Sequence, residues 1–239
     1  MDFPEFHQHI LITGAAGFIG QALASSLLSP SNPATRELAS ITLTDITQPN
    51  IPYHLPTARQ TCASFPCDLT DSSTILQLLK PQIDTIYILH GLMSSASEAN
   101  LDLSLKVNVD SIRNILDTLR SKRAAAKFQE IPPVKVIFAS STAVYGPHVS
   151  PDEMITERTA PNPGSSYGAQ KHIVETLIND YSRRGLIDGR VVRLPTVDHI
   201  KPLKVKFAAK VDLGNRSSRS PHRRGFVFRV RYIPRAIER

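Results

Sequence analysis

Tyr167 and Lys171 stand four residues apart in the run Tyr-Gly-Ala-Gln-Lys, a spacing that puts a phenol and an ammonium on one helix face. A tyrosine with the ordinary pKa of about 10 is a poor base near neutrality. A neighbouring positive charge favours its phenolate and brings proton transfer within reach. The chemistry such a pair suggests is movement of a proton to or from a hydroxyl. By itself the spacing is also what two surface residues show, so the neighbouring sequence has to decide.

One further polar group of the sequence fits that chemistry. An apolar stretch at 134–139 runs into Ser140-Ser141-Thr142-Ala143-Val144-Tyr145-Gly146, a polar cluster just past the carboxyl end of a predicted strand. Open parallel sheets place their ligands at that end. Ser141 is the hydroxyl expected to donate to a substrate oxygen and stabilise charge developing there. Ser140 is expected to satisfy backbone groups of the turn.

Near the amino terminus, Gly14, Gly17 and Gly20 follow the first predicted strand and open a predicted helix. Glycines in that context allow a sharp turn, close approach to a pyrophosphate and tight helix–strand packing, while the N–H groups at the helix start bind phosphate. Asp45 ends the second predicted strand 25 residues after Gly20, near the offset of a carboxylate that accepts from an adenosine ribose. A carboxylate there repels a 2′-phosphate, which favours NAD over NADP. The competing role for Asp45 is a turn cap with Thr47. Asp68, followed by Leu69, also closes a strand; it either meets the adenine amino group or caps the helix beginning near Ser72. With NAD in place, Lys171 is positioned to hold a ribose hydroxyl, and an oxidised nicotinamide adds its own positive charge beside Tyr167.

Together these motifs resemble the extended short-chain dehydrogenases, which include nucleotide-sugar epimerases and dehydratases. The runs Lys106-Val-Asn-Val-Asp110, Asp180-Tyr-Ser-Arg-Arg-Gly185 and Arg193-Leu-Pro-Thr196 extend the resemblance over residues 8–197. It implies Ser141 as hydroxyl donor, Tyr167 as acid/base and Lys171 as its partner. It further implies Asn108 as a supporting asparagine, Leu194 and Pro195 lining the nicotinamide, and His90 with Gly91 beside the middle of the cofactor. His90 is given no catalytic role. The substrate implied is a small molecule, a sugar acid or a nucleotide sugar, with the sugar acid preferred. Thr142, where dehydratases carry an acid, disfavours that branch. The resemblance also implies a homodimer paired through the helices of Asn108 and Tyr167.

The elements that must position these groups are legible as alternating strands and helices. Strands are predicted at 9–13, 41–45, 63–67, 85–90, 134–139 and 190–194, and helices at 17–28, 72–79, 97–123 and 166–184, with residues 47–60 as a loop. The alternation predicts a doubly wound α/β domain, a mostly parallel Rossmann sheet covered on both faces, over residues 1–197.

Residues 198–239 differ in kind. They hold 12 Lys and Arg against 3 Asp and Glu, within a chain of net charge +7, so the remainder is slightly acidic. The segment is expected to be a poorly ordered basic tail. Residues 226–233 alternate as one strand with a basic face would, and 217–224 as a mobile stretch. The abrupt change at 198 is what an altered reading frame or a missed splice junction produces. The expected consequence is a missing or remnant substrate lobe, with NAD binding kept and turnover impaired.

Charge confined to the tail, with few interleaved aromatics, argues against nucleic acid as a partner. Cys62 and Cys67 support neither a disulfide framework nor a zinc site. No apolar run reaches the roughly 18 residues of a membrane span, and a cytoplasmic location is the default expectation.

Overall fold

The computed structural model describes residues 8–55, 58–79, 83–126, 132–147 and 154–195. The predicted basic tail lies outside them, with the expected mobile stretch at 217–224 and the expected strand at 226–233. Six strands form one sheet: β1 (Gln8–Thr13), β2 (Leu38–Asp45), β3 (Cys62–Pro66), β4 (Thr85–Ile88), β5 (Lys135–Ser141) and β6 (Asp188–Leu194). Their order is β3-β2-β1-β4-β5-β6, and every pair is parallel. The order reverses between β1 and β4, which opens a crevice beyond their carboxyl ends. The sheet is the doubly wound Rossmann arrangement that the alternation predicts.

Alternate residues of the strands face opposite layers. Leu11, Ile86, Ile88, Val136 and Phe138 pack with one core cluster, whose helical residues come from α3 (Ser72–Leu78), α6 (Ser111–Ala125) and α7 (Ser166–Arg183). Ile10, Ile12, Ile41 and Leu43 turn to the other face, beneath Leu23, Ala24 and Leu27 of α1 (Phe18–Leu27). In α6 the buried Ile112, Ile115, Leu116 and Leu119 recur at helical spacing. Each such side chain stabilises the fold by about 1.5–3 kcal/mol on burial. Cover on the second face is less complete over β5 and β6, where Ile137 and Val192 are half-buried.

Two predicted segments differ. The 47–60 loop ends in a single helical turn, α2 (Ala58–Thr61). The single helix expected over 97–123 is three pieces: α4 (Ser94–Ala99), α5 (Leu101–Leu105) and α6, with a π-helical turn at Lys106–Asp110 between the last two. Asn100 breaks the first junction. Its backbone is extended (φ −145°, ψ 93°), and its side chain accepts from the Leu103 N–H at 2.9 Å. The capping bond outcompetes helix continuation. The π turn carries Asn108, which it presents to the interior.

Candidate functional site

The glycine turn follows β1. Gly14 has φ +69°, and a Cβ there would lie 2.4 Å from the backbone nitrogen of His90. A Cβ on Gly20 would lie 2.4 Å from the Gly14 carbonyl oxygen. Both positions therefore require glycine, one for conformation and contact, the other for packing α1 against the turn. Gly17 differs: it is exposed, and a Cβ would meet only the Gly14 oxygen at 3.3 Å. It is the N-cap of α1, which has neither a side-chain cap bond nor an acidic residue in its first turn. A helix start left without its own anionic cap fits a pyrophosphate.

Asp45 reaches this turn. Its Oδ2 accepts from the Ala16 N–H at 3.0 Å and its Oδ1 from the Ile46 N–H at 2.7 Å. The carboxylate is thus fixed beside the glycine turn by backbone donors other than Thr47, and each oxygen keeps a second lone pair for a ribose hydroxyl. Asp68 is exposed at the end of β3 and accepts from the Thr70 N–H at 2.9 Å. It does not cap α3; Asp71 does, accepting from the Ser73 N–H at 2.9 Å. Leu69 buries its side chain in the core with Ile75 and Leu78, which leaves only its backbone to meet any ligand.

His90 is held between two hydroxyls, Thr13 Oγ1 at 2.8 Å from Nδ1 and Ser111 Oγ at 2.9 Å from Nε2. Ser111 donates its own proton to the Val107 carbonyl at 2.7 Å, whereas the Tyr87 carbonyl is 3.2 Å from Thr13 Oγ1 and the ring only 2.8 Å. That arrangement favours Nε2–H as the donor and Nδ1 as the acceptor from Thr13. Burial, aided by the charge of Lys171, pulls the ring's pKa down to about 3. A neutral clamp results, tying the ends of β1 and β4 to α6.

At the end of β5, the Ser141 hydroxyl lies near the Tyr167 phenol and acts to lower its pKa. Ser141 Oγ also accepts from the Ala143 N–H at 3.1 Å, so its own proton is available to donate. Lys171 is buried, donates to the Ala139 carbonyl at 2.8 Å, and sits 4.6 Å from the Phe138 ring centre and 5.5 Å from that of Tyr167. Three residues separated by up to 30 positions meet within one neighbourhood. The electrostatics differ from the expectation. Burial pushes the Tyr167 phenol up, and the nearby Ser141 hydroxyl only partly offsets it. Burial likewise pulls Lys171 down to about 8, against the charge of Glu175, which raises it.

Asn108 is buried behind Gly91. Its Oδ1 accepts from the Leu92 N–H at 2.7 Å, and its Nδ2 donates to Gln170 Oε1 at 2.7 Å and to the Leu92 carbonyl at 3.1 Å. A Cβ on Gly91 would lie 3.0 Å from Asn108 Oδ1 and 3.6 Å from Lys171 Nζ, which places the three side by side. Leu194 pairs with Ser141 across β5–β6, and Pro195 follows it; both are half-buried.

Sequence reasoning missed several members. Ser140 does not serve the turn backbone: its hydroxyl donates to Glu175 Oε1 at 2.5 Å. Glu175 also binds Arg193 through both oxygens, at 2.9 and 2.6 Å, and Arg193 donates to the Tyr145 hydroxyl at 2.8 Å. Glu175 at four residues beyond Lys171 was the available signal, since it lies one turn further along the same face.

Among the described residues no cluster of three or more His, Cys, Asp or Glu could hold a metal, and no helix is long and apolar enough to cross a membrane. Sheet order, glycine turn and the meeting of Ser141, Tyr167 and Lys171 define the class, a Rossmann domain of short-chain dehydrogenase type. The chain belongs to the NAD dependent epimerase/dehydratase family, whose sequence profile matches residues 10–197. It is 37% identical over 207 residues to the D-erythronate dehydrogenase of Cupriavidus necator and 38% identical over 200 residues to that of Haemophilus influenzae. Each alignment covers 84% of this chain and 58% of the relative. The chain thus spans less than two thirds of the length of these curated relatives. The crystal structure of a nucleoside-diphosphate-sugar epimerase from Agrobacterium tumefaciens superposes with a TM-score of 0.73 at 31% identity, covering 85% of this chain and 57% of that one.

Proposed function

We propose that this chain carries the NAD-binding and proton-transfer half of a dehydrogenase that oxidises a secondary hydroxyl of a D-erythronate-like sugar acid. The observation that supports it most is the meeting of Ser141, Tyr167 and Lys171 at the carboxyl end of β5. Identity of 37–38% to two D-erythronate dehydrogenases supports the substrate class.

Gly14, Gly17 and Gly20 would hold the pyrophosphate of NAD, and Asp45 the adenosine ribose, with Asp68 and the Leu69 backbone toward the adenine. His90 and Asn108 shape the middle of the site, and Leu194 and Pro195 line the nicotinamide end. NAD, when bound, supplies the hydride acceptor. Ser141 donates a hydrogen bond to the substrate oxygen, where charge develops. Tyr167 takes the hydroxyl proton. Lys171 holds a ribose hydroxyl and lends the positive charge that a desolvated phenolate needs.

Absorbance of NADH on a panel of sugar acids and nucleotide sugars tests the reading. Growth of signal with a short sugar acid is expected, together with a loss of about 100-fold or more in Tyr167→Phe and unchanged NAD binding. Turnover of nucleotide sugars without net NADH would favour an epimerase, the reading supported by likeness to the Agrobacterium structure. A third reading is an NAD-binding protein with little or no turnover. The end of the family match at residue 197 favours it. NAD binding by calorimetry, with no activity for Tyr167→Phe to lose, would establish that one. A homodimer through the helices of Asn108 and Tyr167 is proposed by analogy, and sedimentation of the full chain tests it.

A further inference from the structure

Across the β5–β6 pair, Ser140 lies opposite Arg193, and Ser141 lies opposite Leu194. The first pair is one step below the second, and a single carboxylate closes it. Glu175, buried on α7, accepts from Ser140 and, through both oxygens, from Arg193. Arg193 passes the connection on to the hydroxyl and ring face of Tyr145, whose hydroxyl donates to the Thr156 carbonyl at 3.0 Å. One turn back along α7 stands Lys171, and one turn further back Tyr167. The buried carboxylate therefore joins both strand ends to the helix that carries the phenol and the ammonium.

We propose that Glu175 is a positioning residue of the site: with Ser140 and Arg193 it fixes the height of α7 against β5 and β6, and, one turn along α7 from Lys171, it sets the charge beside that buried ammonium. The inference rests on the reading of Lys171 as the group that holds the cofactor ribose. No other carboxylate competes for the second role among the groups named around Lys171. They are Tyr167 on its own helix, His90 at the end of β4, Asn108 near Gly91, and Phe138 with the Ala139 carbonyl on β5. Around Glu175 stand Ser140, Arg193 and, 3.7 Å from Oε2, the His172 ring. Burial pulls Lys171 down to about 8 while the charge of Glu175 raises it, so loss of the carboxylate moves it lower.

The test is a side-chain NMR titration of Lys171 in the full 239-residue chain without NAD, beside calorimetric NAD titration at pH 8. In Glu175→Gln the Lys171 midpoint is expected to fall by about 1 unit, the lower end for loss of a nearby opposite charge. At pH 8 its protonated fraction then drops from about one half to about one tenth, and NAD binds about fivefold more weakly. Glu175→Asp, which keeps the charge, should restore most of both. If Glu175→Gln does not fold, the double variant Glu175→Gln with Arg193→Gln leaves no orphaned guanidinium, and the Lys171 midpoint is expected to fall in the same direction by a smaller amount, because a positive charge leaves with the negative one. A lowered melting temperature with an unmoved Lys171 midpoint would overturn the proposal, because it is all that a merely structural role predicts. A lowered midpoint with undiminished NAD affinity would also overturn it. Absence of NAD binding by the unsubstituted chain would instead refute the functional reading, and the titration without NAD separates the two.

Discussion

Asn108 donates to Gln170 at 2.7 Å, side chain to side chain, across 62 residues of sequence. Gln170 passes the link to Ser104 of α5 at 2.7 Å, so α5, the π turn and α7 are joined by a buried polar chain whose Asn108 end lies beside Lys171. Buried polar groups of this kind are costly to orphan. Asn108→Ala strands the Leu92 N–H and Gln170 Oε1, and is expected to cost about 3 kcal/mol in urea unfolding. A cost below about 1 kcal/mol would mean that water replaces the amide without penalty.

Gly14 and Gly185 share the same backbone conformation, φ +69° and +71°, in different surroundings. A Cβ on Gly185 meets nothing within 4 Å, whereas one on Gly14 collides with the His90 backbone. Gly185→Ala should therefore cost only the conformational term, about 1–2 kcal/mol, and leave NAD affinity unchanged. Gly14→Ala should cost more and abolish NAD binding. Thermal melts and calorimetry on the two variants read the contrast directly.

Asp45 offers a charge where a 2′-phosphate would sit. Asp45→Asn keeps one acceptor oxygen for the backbone and removes the repulsion. NAD should bind about tenfold more weakly, the scale of one charge-assisted hydrogen bond, while NADP binding should improve. Parallel titrations with both cofactors check it; an unchanged NAD-to-NADP ratio would remove Asp45 from the ribose site.

His90 makes the fold acid-sensitive in a defined window. Burial pulls its pKa down to about 3 in the folded chain against 6.5 for an ordinary histidine, so below pH 6.5 the unfolded chain binds a proton that the native ring refuses. Stability is present above 6.5 and is lost as pH falls toward 3. By pH 5 the loss from this ring alone is about 2 kcal/mol. His90→Gln, which keeps a donor and an acceptor, should show a smaller drop in urea midpoint between pH 7 and pH 5. Equal drops would place the acid sensitivity elsewhere.

Local rules made much of this protein legible before any coordinates. Short apolar runs, stop signals such as Pro30 and Pro81, and the glycines after β1 act over a few residues, so alternation, sheet class and the nucleotide turn follow from sequence alone. The Tyr167–Lys171 spacing is likewise a property of one helix. Other features depend on which strands become neighbours. That Ser140 faces Glu175 while Ser141 meets Tyr167 follows from the β5–β6 register and the height of α7, neither of which a local period encodes. The break at Asn100 escaped notice because its cap competes with an otherwise helical pattern. Burial decided the electrostatics: spacing alone predicts a phenol drawn down by its ammonium, but desolvation, set by the surrounding core, pushes Tyr167 up and Lys171 down.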